Sequence, residues 1–269
     1  MTRVASPLLV AKELRKEFRV GQKDTFTAVE RVSFAVHRRQ TLGIVGESGS
    51  GKSTTARMVA RLIDPTSGAV EFQGEEVTGK SGESLRDFRS QVQMVFQDPY
   101  SSLNPRHNVE DVVSAPLRYQ KRKVPGGYRT AVKAAMERVG LNPDDSKRYP
   151  RQFSGGQAQR IGIARALIVD PKLVICDEAV SALDVSVQAQ VLDLLVDLQR
   201  ERDISYVFIA HDLAVVRQIA HTVAVMEKGR IVEQGPRDAI FDDPQHKYTK
   251  TLLTAVPRID ARWDAGRQS

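Results

Sequence analysis

Apolar and polar positions alternate through residues 8–36, with Val29, Val32, Phe34 and Val36 marking the buried phase after an apolar start at Leu8. A period of two predicts antiparallel strands with one face on a core. Residues 41–45 form a short apolar run, a buried strand opening onto a glycine-rich loop. Residues 54–63 read as a helix, closed by Asp64-Pro-Thr-Ser-Gly68. A further strand pair is expected near 70–72 and 93–96. From about 105 to 160 the texture turns helical, with no convincing strand. Pro125-Gly-Gly127 breaks it, and 129–139 is an amphipathic helix ended by Gly140. Strand–helix alternation then resumes: a strand at 173–176, a helical face made by Val187, Val191, Leu194, Leu195 and Leu198, and a buried strand at 206–210. This order implies an α/β fold with a mostly parallel sheet covered by helices on both faces. The helical stretch is an insertion into the sheet domain. Internal repeats and low-complexity segments are absent from the sequence.

The length of 269 residues suits one large α/β domain, or one domain with an inserted subdomain. An apolar content of 41% supports a sizeable core. No run approaches the roughly 18–20 apolar residues that cross a bilayer, and Met1-Thr-Arg-Val-Ala-Ser-Pro lacks the apolar run of a secretory signal. The expectation is a cytosolic chain whose membrane association goes through a partner. Cys176 is the only cysteine, which leaves no intrachain disulfide and no cysteine metal cluster. It lies in an apolar strand and is expected to pack there. A net charge of +7 suits phosphate ligands, anionic lipid or nucleic acid without choosing among them. The cations are scattered, and the short run Lys121-Arg-Lys123 reads as solvated surface.

Chemistry first enters at Gly46-Glu-Ser48-Gly49-Ser50-Gly51-Lys52-Ser53, followed by Thr54, between a strand and a helix. Glycines let the backbone curl so that consecutive amides point at phosphates, and the next helix adds its positive end. Lys52 brings a mobile charge and Ser53 a hydroxyl for Mg²⁺. Asp177 ends the apolar strand at 173–176, where a carboxylate reaches Mg²⁺ through its water shell. Glu178, one residue on, points elsewhere and suits polarisation of a water attacking the γ-phosphate of ATP. Ser154-Gly155-Gly156-Gln157 opens another helix with free amides and a hydroxyl. Alone, it is an N-cap with a flexible turn. One domain has no need of two phosphate nests far apart in sequence, whereas two copies head to tail would each lend the second nest to the other's nucleotide.

Together these motifs resemble the nucleotide-binding subunit of an ABC transporter, over residues from about 8 to 256. The resemblance implies a P-loop cassette with an N-terminal antiparallel β subdomain and an inserted α-helical subdomain at about 105–160, leaving 257–269 as a short tail. It makes Ser154, Gly156 and Gln157 the signature that meets a partner's nucleotide. Gln97 becomes the residue that contacts Mg²⁺ and the attacking water. Ser181-Ala-Leu-Asp184 becomes the loop that communicates across the dimer, and His211 the γ-phosphate contact. Phe18 is similar in position to the aromatic that stacks on adenine, with Phe26 the weaker candidate.

A narrower likeness is to the dipeptide/oligopeptide importer branch, which also includes nickel and metallophore importers. It rests on Gln97-Asp-Pro-Tyr-Ser-Ser-Leu-Asn-Pro-Arg106, Asp184-Val-Ser-Val-Gln-Ala-Gln-Val191 and Pro244-Gln-His-Lys-Tyr-Thr249. Members work as two ATPase subunits, different or identical, under two membrane-spanning permease subunits with an extracytoplasmic substrate-binding protein. The implied place is peripheral, on the cytoplasmic face of the membrane, with no nucleic acid as partner. Three departures stand out. No cysteine cluster precedes Ser269, so no iron–sulfur cluster is expected. Ala179 replaces a common proline, expected to loosen the turn after Glu178. Ala158 replaces a common arginine, expected to remove a charge beside the signature. DNA-repair relatives would need a long coiled coil between the phosphate loop and Asp177, ribosome-associated ones two cassettes, and exporters fused membrane helices.

Overall fold

The structure, a computed structural model, describes residues 6–21 and 24–254. The expected tail at 257–269 and the first five residues of the N-terminus therefore lie outside the described residues. Strands β1 (Leu9–Val20) and β2 (Asp24–Val36) form a long antiparallel hairpin, followed by β3 (Thr41–Val45) and α1 (Lys52–Val59). Next come β4 (Ser67–Phe72), β5 (Glu75–Glu76), α2 (Gly82–Gln91) and β6 (Val92–Val95). Helices α3 (Pro99–Ser102), α4 (Val109–Tyr119), α5 (Gly127–Arg138) and α6 (Gly155–Leu167) fill the space before β7 (Leu173–Asp177). The chain continues through α7 (Val185–Arg202), β8 (Ser205–Ala210), α8 (Leu213–Ile219), β9 (Thr222–Glu227), β10 (Arg230–Pro236), α9 (Arg237–Asp242) and α10 (Lys247–Thr254).

Two sheets result. One is antiparallel in the order β2-β1-β4-β5; the other runs β10-β9-β3-β8-β7-β6. In the second, β9, β3, β8, β7 and β6 are parallel, and β10 is an antiparallel edge. Strands β3, β7 and β8 are buried at every position, as a parallel sheet covered on both faces requires. Side chains alternate between two cores. Leu42, Ile44, Leu173, Ile175, Val207 and Ile209 face α1 and the antiparallel sheet. Val45, Val174, Cys176, Tyr206 and Phe208 face the helices that include α6, α7 and α8. One face is thus covered by a helix together with a second sheet. Cys176 is fully buried, and burial pushes its thiol up to about 12, so it is inert packing.

The expected pairing of 70–72 with 93–96 is corrected: β4 pairs with β1 in the antiparallel sheet, and β6 with β7 in the parallel one. The reason is α2, a polar helix that buries only Phe88 and carries the chain from one sheet to the other. Helices between β6 and β7 extend from Pro99 to Leu167, on both sides of the expected 105–160.

The start of β3 is fixed by a reciprocal clamp. Thr41 N–H donates to His221 Nδ1 at 3.1 Å, and His221 N–H donates to the Thr41 carbonyl at 2.9 Å. Nδ1 can accept only if it carries no proton, and burial together with the charge of Arg237 lowers the His221 pKa. A histidine with a lowered folded pKa contributes stability that is complete above its unfolded pKa and lost as pH falls through the folded value. Thermal melts between pH 7.5 and 5 should therefore show a wild-type loss that His221→Asn, whose amide oxygen still accepts, reduces. His221 is only partly shielded from solvent, so the difference should not exceed about 1 kcal/mol, one hydrogen bond. Superimposable pH profiles would remove the clamp's role.

Candidate active site

The parallel strands β3, β6, β7 and β8 end at one edge of the sheet, and the residues singled out by their chemistry follow those ends. After Val45 the chain turns through residues 46–51 into α1. At two positions the loop lies so close to neighbouring backbone that a side chain is excluded. A Cβ on Gly46 would sit 2.1 Å from the Met226 carbonyl oxygen, and one on Gly51 2.5 Å from that of Ala28. Gly51 also has φ 100, and as the N-cap of α1 it offers no side chain to the first-turn amides. Those amides, with no acidic residue among them, are open to an anion. The buried hydroxyl of Ser50 has no partner, whereas Ser48 and Gly49 are exposed.

Lys52 is 3% exposed and folds back over this loop. Its Nζ donates to the Gly46 and Glu47 carbonyls, each at 2.8 Å. Burial lowers its pKa, opposed by the charges of Glu178, Asp177 and Glu47. Ser53 Oγ donates to Asp177 Oδ1 at 2.7 Å, joining the start of α1 to the end of β7. Asp177 is 4% exposed, and its carboxyl is raised mainly by burial. This pair of adjacent hard oxygens fits Mg²⁺, which keeps most of its waters and takes one or two protein ligands. No group of three or more His, Cys, Asp or Glu side chains suited to a metal occurs among the described residues.

Glu178 sits at φ 48, its N–H donating to the Ile209 carbonyl at 3.0 Å and so tying the end of β7 to β8. His211 follows β8, with Nδ1 3.8 Å from Glu178 Oε2. Gln97 is exposed two residues past β6. Phe18 stands opposite Phe26 in the β1–β2 ladder, two residues along β2 from the Ala28 that backs Gly51. They are 40% and 57% exposed, so either ring could face a ligand.

The second nest is built elsewhere. Ser154 caps α6: Gln157 N–H donates to Ser154 Oγ at 3.3 Å, and Ser154 N–H donates to Gln157 Oε1 at 3.0 Å. Gly156 lies against the first turn of α7, where a Cβ would meet Val187 Cγ1 at 2.4 Å. Asp184, the exposed N-cap of α7, makes no side-chain cap bond. Among the described residues no hydrogen bond joins residues 46–54 to 154–157. The structure therefore gathers Lys52, Ser53, Asp177, Glu178 and His211, and leaves the Ser154 group as a separate unit.

In the turn after Glu178, Ser181 N–H and Oγ both donate to the Glu178 carbonyl, at 3.2 and 2.9 Å, and Ala179 is buried. Ala158 is fully buried on α6. Tyr100 links the segment after Gln97 to the chain just before the second nest. Its hydroxyl donates to the Phe153 carbonyl at 2.9 Å, and Arg165 donates to the Ser102 carbonyl at 2.6 Å. The segment after Gln97 is thereby bound to the helix that carries the second nest; its Asp-Pro-Tyr sequence was the available signal.

Residues 29–181 match the sequence model of the ABC transporter family. The chain belongs to that family. Residues 232–269 match a second model, the oligopeptide/dipeptide transporter C-terminal region. The oligopeptide transport ATP-binding protein OppF of Bacillus subtilis (strain 168) is 48% identical over 262 residues, 97% of this chain and 86% of that protein. The glutathione import ATP-binding protein GsiA of Salmonella typhimurium is 52% identical over 233 residues, 87% of this chain but 37% of that protein. A dimeric post-hydrolysis structure of the ATP-binding cassette MJ0796 with ADP and Pi matches with TM-score 0.78 and 26% identity, covering 85% of this chain and 98% of that one. As an ABC cassette, this chain is an ATP-binding transport ATPase.

The packing of Gly156 yields a steric test. Gly156→Ala should lower stability by about 1–3 kcal/mol through overpacking against Val187 and depress ATP hydrolysis. Adding Val187→Ala should restore most of the melting temperature. A single mutant as stable as wild type would show that α6 does not depend on this contact.

Proposed function

We propose that this chain is the ATPase subunit that powers import of peptides, working at the cytoplasmic face of the membrane beneath two permease subunits. No helix among the described residues is long and apolar enough to cross a membrane, so attachment goes through those subunits. Residues 1–256 act as the nucleotide-binding domain, with the helices near 105–160 as its inserted subdomain. The observation that carries the reading is the buried Lys52 and Ser53–Asp177 group beneath a glycine-walled loop, with a second nest built apart from it. Named relatives handle oligopeptides or glutathione, which favours peptides over the nickel or metallophore alternative. An extracytoplasmic substrate-binding protein would supply the cargo.

In this reading Gly46, the amides of residues 48–54 and the Lys52 ammonium bind the β- and γ-phosphates of ATP, and Phe18 stacks on adenine. Ser53, Asp177 and Gln97 would hold Mg²⁺, which when bound would neutralise charge on the phosphates. Glu178 accepts the proton of the attacking water, and His211 holds the γ-phosphate. Ser154, Gly156 and Gln157 close on the nucleotide of a second cassette, different or identical, and Asp184 carries the state of one site to the other. The Tyr100–Phe153 and Arg165–Ser102 bonds pass closure of that nest to the segment after Gln97, where a permease docks.

Removing the base without the cradle should separate binding from chemistry. Glu178→Gln should keep ATP affinity within about threefold and lower kcat at least about 100-fold, the scale of lost general-base catalysis. Lys52→Ala should lose most nucleotide affinity. Nucleotide titration and single-turnover hydrolysis read both, and near-normal turnover in Glu178→Gln would overturn its role.

A further inference from the structure

The phosphate loop has a contact that comes from the far end of the chain. The Tyr248 hydroxyl oxygen, on α10, accepts the Glu47 N–H at 3.1 Å across 201 residues. The peptide unit between Gly46 and Glu47 is therefore gripped at both ends, since its carbonyl also accepts from Lys52 at 2.8 Å. Glu47, Ser48 and Gly49 are the exposed part of the loop, where backbone freedom is greatest and the entropy lost on binding a ligand largest.

Tyr248 is itself well placed to hold a position. Both carboxylate oxygens of Glu233, on β10, accept backbone amides just before α10, from Gln245 at 2.7 Å and His246 at 3.1 Å. Tyr248 N–H donates to His246 Nδ1 at 3.2 Å. Leu252 and Leu253 pack on the larger core, and Thr249 is fully buried. Helix α10 is thus fixed at its start by β10 and along its length by the core.

We infer that Tyr248 is a positioning residue for the nucleotide, pre-organising the phosphate loop and making α10 a part of the ATP site. This rests on the reading of residues 46–54 as that site. A loop already in its binding shape loses less entropy when phosphates arrive, so the contact is expressed as affinity rather than as chemistry. Any displacement of α10 by a partner would then register as a change in ATP affinity.

Tyr248→Phe removes one oxygen and keeps the ring. Titration of the purified chain with a fluorescent ATP analogue should show Kd raised about three- to tenfold, the scale of one hydrogen bond. In the assembled transporter KM for ATP should rise in parallel while kcat stays within about twofold. The melting temperature without nucleotide should remain close to wild type. An unchanged Kd, or a lower melting temperature with unchanged Kd, would overturn the inference. If Tyr248→Phe does not fold, Glu233→Gln, which loosens the start of α10, should raise Kd in the same direction, and an unchanged Kd there would count against it equally. Lys52→Ala separates the two levels. Undiminished binding in that variant defeats the site reading, whereas lost binding there with normal binding in Tyr248→Phe defeats only the role of Tyr248.

Discussion

The arrangement depends on charge held out of water at the end of a rigid sheet. Lys52 and Asp177 are both almost completely buried, and burial moves each toward its neutral form. Two backbone carbonyls hold the lysine and one hydroxyl holds the carboxylate, which satisfies them without saturating them. A lone buried charge is expensive, so these groups can persist only where the surroundings are fixed. Strands β3, β7 and β8, buried at every position, supply that fixity. Glycine does the rest: the loop passes within van der Waals distance of backbone from β2 and β9, and no other residue type fits there.

The same economy explains why the site is divided. The Ser154 nest owes its shape to a capping box and to Val187 at the start of α7, neither of which involves the phosphate loop. A nest folded independently can belong to a different nucleotide from the one its own chain binds. Movement of that nest is not free, because Tyr100 and Arg165 bind α3 to Phe153 and α6. Were the nest to close around ATP, as proposed, these bonds would carry the segment after Gln97 with it.

Much of this was legible in the sequence wherever a signal is local. Continuous apolar runs at 173–176 and 206–210 marked β7 and β8, and the glycine spacing at 46–51 marked the loop. Partner choice for short strands was not legible. Residues 70–72 and 93–96 look alike in isolation, and only the polar helix α2 between them, with Phe88 as its one buried residue, sends them to different sheets. The burial of Ala158 depends on which face α6 turns to the core, a tertiary matter. The Tyr248–Glu47 bond spans 201 residues and leaves no periodic trace. The bond from Glu178 N–H to the Ile209 carbonyl, which ties the end of β7 to β8, likewise comes from folding.

The claim that two cassettes complete one site is tested most directly by the mass of the Glu178→Gln protein in solution. Light scattering would be measured with and without Mg-ATP, on the protein alone and mixed with any different ATPase subunit of the same transporter. The account predicts that Mg-ATP doubles the number of cassettes per particle in at least one of the two samples. A protein that binds ATP fully yet stays monomeric in both would contradict it.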